Sequence, residues 1–494
     1  MESTHKFSMA VKKIVIVGGG ISGLSAAFYA RKKDPQASIS LLEAGPRWGG
    51  KIATERVPIE DAHGLAPEEA RFIIEGGPDT FLATKPWAVA LCKELGLGER
   101  LHGTNPANKS TFVLHNDRLL PLPDGLAMMI PTNVQAILQS GLVSWPGKAR
   151  MGLDFLLPVR SAAGYTDESL GSFVSRRLGR EAYENLIEPL MSGIYAGDGD
   201  QLSLASTFPY LRDLELKYGS LARGALEMRR KSAASGQAAQ GSRSAFLTPT
   251  SGLIEIVEKL IESLTTSGVD LRLNTAVKFL DRLLDSKWIV GLASGESLNA
   301  DAVILAAPAY ASAELLKGLD PALAERLRGI PYASTATVTL AYRQTDLPHP
   351  LNGYGYVIPR SEGRRALAAT FTSTKFPHRA PQGYALIRVF VGRAGQESVV
   401  ETSQTETLRA TSLRALAREE LALSLGIQAE PLVSRVFMWE KAMPQYNLGH
   451  PERLAQIDAA LEQHPGLALA GNAYRGIGIP DCIHSGQLAA EKVA

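Results

Sequence analysis

Val11-Lys12-Lys13-Ile14-Val15-Ile16-Val17-Gly18-Gly19-Gly20-Ile21-Ser22-Gly23-Leu24 is the stretch on which the fold turns. Ile14 to Val17 are apolar without a break, the pattern of a strand covered on both faces. Leu24 to Arg31 reads as a helix with an Ala-rich face. Between them Gly18, Gly20 and Gly23 satisfy G-x-G-x-x-G. The first glycine allows the tight turn, the second lets a pyrophosphate approach the backbone, and the third lets helix and strand pack closely. The helix start, with Ile21 and Ser22, then offers N–H groups and partial positive charge to phosphate. A second strand, Ser38 to Leu42, ends in Glu43, 20 residues after Gly23. An acid at that point accepts hydrogen bonds from two ribose hydroxyls and favours an unphosphorylated ribose.

Working outward, Glu43-Ala44-Gly45-Pro46-Arg47-Trp48-Gly49-Gly50-Lys51 sets two basic residues around a double glycine. A loop of that kind runs close to a cofactor, with Arg47 and Lys51 offsetting phosphate charge. Further strands are expected at Leu271 to Val277 and Asp301 to Pro308, with a hairpin of Trp288 to Ala293 and Ser297 to Ala300. Leu467 to Asn472 reads as another strand, and Ile483 to Val493 as a closing helix. Three separated α/β blocks predict one discontinuous nucleotide domain (1–85, 251–308 and 436–494) carrying two insertions. Helical signals dominate 86–205, where Leu170, Phe173, Val174 and Leu178 recur at helical spacing. Arg176, Arg177 and Arg180 read as its solvated face. Residues 206–250 and 309–435 read as more strand-rich, with Thr335 to Tyr342 and Tyr384 to Val391 as strands. Arg229 to Ser244, rich in Ser, Ala, Gly and Gln, reads as a mobile surface loop.

The chain has 494 residues, 45% of them hydrophobic, enough for several packed units. Its 52 basic and 50 acidic residues give a net charge of +2, which argues against a nucleic-acid binder. Cys92 and Cys482 form no Cys-x-x-Cys pair and read as small buried hydrophobes. No metal-ligand pattern is present, since the nine histidines form no close pair with that spacing. The first ten residues lack the apolar run of a secretory signal. Gly125 to Gly147 has no formal charge and contains Met128, Met129, Ile130, Leu138, Leu142, Val143 and Trp145. Its prolines and amides make it a poor membrane span, so it reads as a buried helix or a surface that docks on a bilayer.

Several blocks, in order along the whole chain, resemble the oxygen-dependent protoporphyrinogen oxidases of the bacterial kind. That family lies within the FAD-dependent amine oxidase superfamily. The blocks are Glu43 to Lys51, Glu75-Gly76-Gly77-Pro78-Asp79-Thr80-Phe81, Ile187 to Asp198, Met443 to His450 and Gly471 to Ile483. The resemblance implies α/β and α+β architecture. A discontinuous Rossmann-like FAD domain would carry a mixed-sheet substrate domain and a helical membrane-facing insertion. It would put FAD on Gly18, Gly19, Gly20, Ile21, Ser22, Gly23, Glu43, Ala44, Arg47, Gly50, Lys51, Gly77, Pro78, Asp79, Thr80, Val277, Trp439, Ile477, Gly478 and Ile479.

The implied reaction is six-electron oxidation of protoporphyrinogen IX in three two-electron steps, with FAD as acceptor and O2 reoxidising it. The flavin carries the hard chemistry, so no protein group is named as acid or base. Gly197, Val357, Phe376 and Thr337 would border the substrate. Plant-type relatives hold a propionate with an arginine on the strand that here reads Thr111 to His115. This chain offers His115 instead, a weaker carboxylate anchor when neutral, with Arg118 three residues on. The alternatives are oxidation of coproporphyrinogen III, another amine oxidase or carotenoid desaturase, and a non-catalytic FAD-binding protein that docks on membranes. The resemblance further implies a cytoplasmic protein with peripheral membrane contact, and it is compatible with a homodimer.

Overall fold

The structure is a computed structural model, and it describes residues 11–59, 70–127, 130–131, 133–160, 166–234, 244–283, 287–401 and 405–494. Its nucleotide-domain sheet is parallel throughout, in the order Asp270–Arg272, Ser38–Leu42, Lys13–Val17, Ala302–Leu305, Leu467–Leu469. Ile14 to Val17 are all buried, as an unbroken apolar strand in the middle of a parallel sheet must be. Ile14, Ile16, Ile39, Leu41 and Ile304 face two helices, Ile21–Lys33 and Ile479–Val493. Those helices cross closely at Gly486, where any side chain would overlap the Ser22 carbonyl. Val15, Val17, Val303 and Leu305 face the other way, onto Trp288, Leu316 and Leu327. Each such side chain contributes about 1.5–3 kcal/mol by leaving water.

The expected Leu271 to Val277 strand is two strands. Asn274, with φ of 50°, turns the chain between Asp270–Arg272 and Val277–Arg282. The closing helix begins at Ile479, four residues earlier than expected.

A helical unit gathers around Phe173, Val174, Leu178, Tyr183, Leu186 and Met191. Ser169 caps its Leu170–Leu178 helix by accepting from the Ser172 N–H. Here the reading of Arg176 and Arg177 as solvated is corrected. Arg177 is fully buried and lies 2.5 Å from Asp154, while Arg176 bonds Glu168 and Glu215. Of the three, only Arg180 is exposed, beside Glu184 and Asp200. Residues assigned above to the strand-rich insertion also belong to this unit. Leu204–Thr207, Pro209–Tyr218 and Leu221–Ala234 are helices, and Phe208, Leu211, Leu214 and Leu221 pack into its core. Arg229 to Ala234 is therefore helical rather than loop, and 235–243 lies outside the described residues. Gly125 to Gly147 is not one helix. Leu126–Ala127 pairs with Ile130–Pro131, and short helices follow at Val134–Gln139 and from Trp145. Met128 and Met129 lie outside the described residues. No helix of the described residues is long and apolar enough to cross a membrane.

The third layer is a seven-stranded mixed sheet, in the order Val433–Pro444, Tyr332–Arg343, Tyr384–Val391, Ala366–Phe371, Gly355–Val357, Thr111–His115, Arg118–Pro121. The last two strands come from the insertion expected to be helical. One face, with Val338, Leu340, Ile387 and Val389, packs on Leu413, Leu416 and Leu421 of the Glu406–Leu425 helix. The opposite face turns toward the nucleotide domain.

Candidate functional site

The glycine loop is shaped by what its neighbours leave room for. A Cβ on Gly23 would overlap the Gly18 carbonyl, and one on Gly18 would sit 2.8 Å from the Ala306 oxygen. At Gly20 the nearest atom to an added Cβ is the Gly50 Cα at 3.9 Å, so that side is open. Gly20 also caps the Ile21–Lys33 helix. An open flank at a helix start is what a pyrophosphate requires. Glu43 closes one end of the loop. Its two carboxylate oxygens accept from the Gly19 and Gly45 N–H groups, 2.7 Å each. One lone pair on each oxygen remains for ribose hydroxyls. Thr275 donates its N–H to the Glu43 carbonyl, which brings Val277 to this end.

The double glycine lies alongside. Gly49 donates to the Gly19 carbonyl at 2.8 Å. Arg47 donates to the carbonyls of Ile52 and Gly50, and its guanidinium stands 5.8 Å from the centre of the Trp439 ring. Lys51 is held beside Cys482, and burial pushes its pKa down to about 8. Gly77 packs so closely on the Lys51 carbonyl that a side chain there would overlap it. The Gly76 carbonyl accepts from three donors of the facing sheet: Trp439 Nε1 at 2.9 Å, Thr337 Oγ1 at 2.9 Å and Arg388 at 3.2 Å. Asp79 meets Lys375 at 3.2 Å. Burial alone would raise its pKa, but Lys375 and Arg388 outweigh burial and hold it at about 2. At the far end Gly478 caps the closing helix, Lys85 lies 2.7 Å from both Asp481 oxygens, and Gly476 donates to the Tyr446 hydroxyl at 2.8 Å.

These groups form one track from Glu43, past Gly20 and Lys51, to Gly77 and Gly478. The track fits FAD: an acid at the ribose end, an open helix start with cations in the middle, and a second helix start at the far end. When bound, FAD would supply a two-electron acceptor. The N–H groups at Gly478 and the partial positive charge of that helix suit the flavin end that gains negative charge.

Strand register places the substrate-side residues. On the sheet face toward the track, Thr337 pairs with Phe390, Phe390 with Ala368, Ala368 with Val357, and Val357 with Val113. This row makes a largely apolar floor, with Phe390 and Val357 only partly buried. Gly197 borders it, since its carbonyl accepts from Arg360 at 3.3 Å and its α-carbon faces the Gln445 amide. Phe376 follows Lys375, which bonds Asp79. The Phe376 ring is fully buried among Lys375, His378 and Arg379. His115 sits at the turn of the Thr111–Pro121 hairpin, 3.9 Å from Glu362, with an acid rather than open space beside it. Sequence reasoning missed Phe390, Arg388, Tyr446 and Lys85. The signal for Arg388 was present: one charge inside the apolar strand Tyr384 to Val391.

Comparison with known proteins agrees with this geometry. Residues 21–494 match the family of flavin containing amine oxidoreductases. A coproporphyrinogen III oxidase of Bacillus subtilis is 39% identical, with 97% of each chain covered. The human protoporphyrinogen oxidase is 30% identical, with 98% of each covered. A solved structure from Exiguobacterium sp. 255-15, provisionally assigned as a protoporphyrinogen oxidase, is 34% identical over 98% of each chain with a TM-score of 0.83. The chain belongs to the flavin-containing amine oxidoreductases, as an FAD-dependent oxidoreductase related to both the coproporphyrinogen III and the protoporphyrinogen oxidases.

Proposed function

We propose that this protein oxidises coproporphyrinogen III to coproporphyrin III, using O2, in the making of haem. This reverses the order of the two porphyrinogens expected from sequence. The observation that carries it is the gradient of likeness: 39% to the Bacillus coproporphyrinogen III oxidase against 30% to the human protoporphyrinogen oxidase, both over nearly the full length. Charge around the floor supports the same choice. Coproporphyrinogen III carries four propionates, two more than protoporphyrinogen IX. Arg360, which donates to the Gly197 carbonyl, and Lys375, beside Asp79, are basic groups near this floor.

In this reading the apolar row seats the macrocycle and keeps water from the reacting meso carbon, while the basic groups orient the propionates. Three two-electron oxidations remove six electrons, and each O2 leaves with two electrons and two protons as hydrogen peroxide. The Gly76 and Gly478 segments fix the flavin against that floor. Anaerobic mixing of the FAD-loaded protein with coproporphyrinogen III tests the proposal. Bleaching of the oxidised-flavin absorbance, recovery in air and growth of coproporphyrin fluorescence are expected. A flavin that stays oxidised would overturn it.

A further inference from the structure

A cluster of five charged side chains joins the two domains under the Glu75–Thr80 segment. Glu75 pairs with Arg379 at 3.0 Å, and Asp79 pairs with Lys375 at 3.2 Å. Arg388 is the fifth. It is 2% exposed, and no carboxylate among the described residues lies within 4 Å of it. The cluster thus holds three cations and two anions. Arginine does not lose its proton in proteins, so the excess charge is permanent. Burial of an unmatched charge is costly, and proteins keep one where it acts on something.

Its position says on what. Arg388 pairs across the sheet with Thr339 on one side and Thr370 on the other, one row from the floor, with its guanidinium 4.7 Å from the centre of the Phe390 ring. One terminal nitrogen is fastened to the carbonyls of Gly76 and Gly77. Nε and the other terminal nitrogen are buried and make no hydrogen bond. Arg388 is therefore tied to the segment that borders the track; Asp79 and Glu75 attract it from a distance, but each is paired with another cation, and neither forms an ion pair with Arg388.

We propose that Arg388 is a fixed positive charge that makes the bound flavin easier to reduce. Two-electron reduction with uptake of one proton adds one negative charge to the flavin, and a desolvated cation nearby favours that state over the neutral oxidised ring. The charge acts on the reduced form, so affinity for oxidised FAD is little affected. The inference rests on placing the flavin beside Gly76 and Gly77, and it involves no porphyrinogen.

The test is anaerobic reductive titration of the FAD-loaded full chain against a reference dye, for wild type, Arg388→Gln, Arg388→Lys and Thr337→Val. Gln and Lys both keep a donor for the Gly76 and Gly77 carbonyls, but only Lys keeps the charge. Arg388→Gln should retain oxidised FAD and show about a tenfold lower ratio of reduced to oxidised flavin at a given potential, which is about 30 mV for a two-electron couple. Arg388→Lys should stay within about threefold of wild type. Thr337→Val, which removes a neutral donor from the same carbonyl, should do likewise. An unshifted Gln variant, a Lys variant shifted as far as Gln, a Thr337→Val shift of equal size, or loss of FAD by the Gln variant would each overturn the role given to the charge. Gly77→Val with full FAD occupancy would instead overturn the flavin's placement.

Discussion

Glu43 and Lys51 mark the two electrostatic needs of the cofactor, and each yields a prediction. Glu43 has a free lone pair on each oxygen, so Glu43→Ala removes the ribose contacts. Hydrogen bonds to a charged group contribute about 1.5–3 kcal/mol each, so FAD affinity should fall by at least about tenfold. Isothermal titration of the cofactor-free protein checks this, and unchanged affinity would refute the assignment. Lys51 yields a pH dependence. In the cofactor-free protein its pKa is about 8 because burial disfavours the charged form. Phosphate favours that charged form, so the pKa rises on binding. Affinity is then full below pH 8 and declines as pH rises above it, by at most about tenfold per pH unit for one proton. The dissociation constant measured at pH 7 and pH 9.5 should show the decline, and Lys51→Met should flatten it. Both residues were legible in sequence because the glycine loops that position them are local. Arg388 and Phe390 were not, because their neighbours Thr339 and Thr337 lie about 50 positions earlier and only strand register joins them.

At the scale of elements, buried charge and exposed apolar surface are where sequence pattern and structure part. Helical spacing placed the Leu170–Leu178 helix correctly, and its cap is as local as the pattern itself. The pattern gave Arg177 to solvent because its partner Asp154 sits 23 residues earlier on a separate turn. Arg177 also donates to the carbonyls of Asp154 and Gly219, so it ties three segments together. Arg177→Met should strand Asp154 in the core and destabilise the protein by about 3–5 kcal/mol, the usual cost of breaking a buried pair. Thermal unfolding would show the loss as a marked drop in Tm. Arg180→Met, on the exposed face, should leave Tm nearly unchanged. The same unit carries Val134, Leu138, Trp145, Leu153 and Leu156 on its surface, with Trp145 70% and Leu156 80% exposed. Lys148 lies 4.6 Å from the centre of the Trp145 ring. We propose this patch as the peripheral membrane contact. Wild type should co-sediment with anionic liposomes, and Trp145→Ser with Leu156→Ser should reduce it; no association by wild type would end the idea.

For the whole molecule, sequence order and spatial order differ in an instructive way. The parallel sheet draws on 13–17, 38–42, 270–272, 302–305 and 467–469, so the three blocks read from sequence do meet in one layer. The insertions were less legible. Helices from 204 to 234 crossed into the helical unit, and two strands between 111 and 121 crossed into the mixed sheet. Hydrophobic period tells helix from strand but does not say which layer an element joins. That exchange matters for substrate, because Val113 and Val357 continue a floor begun by Thr337 and Phe390 on distant strands. A floor built across domains with basic side chains near it suits a macrocycle with several carboxylates. The most direct measurement is a competition between coproporphyrinogen III and protoporphyrinogen IX on the purified FAD-loaded protein in air, followed by the separate fluorescence of the two porphyrins. A kcat/KM at least about tenfold higher for coproporphyrinogen III is predicted, and a preference for protoporphyrinogen IX, or turnover of neither, would contradict it.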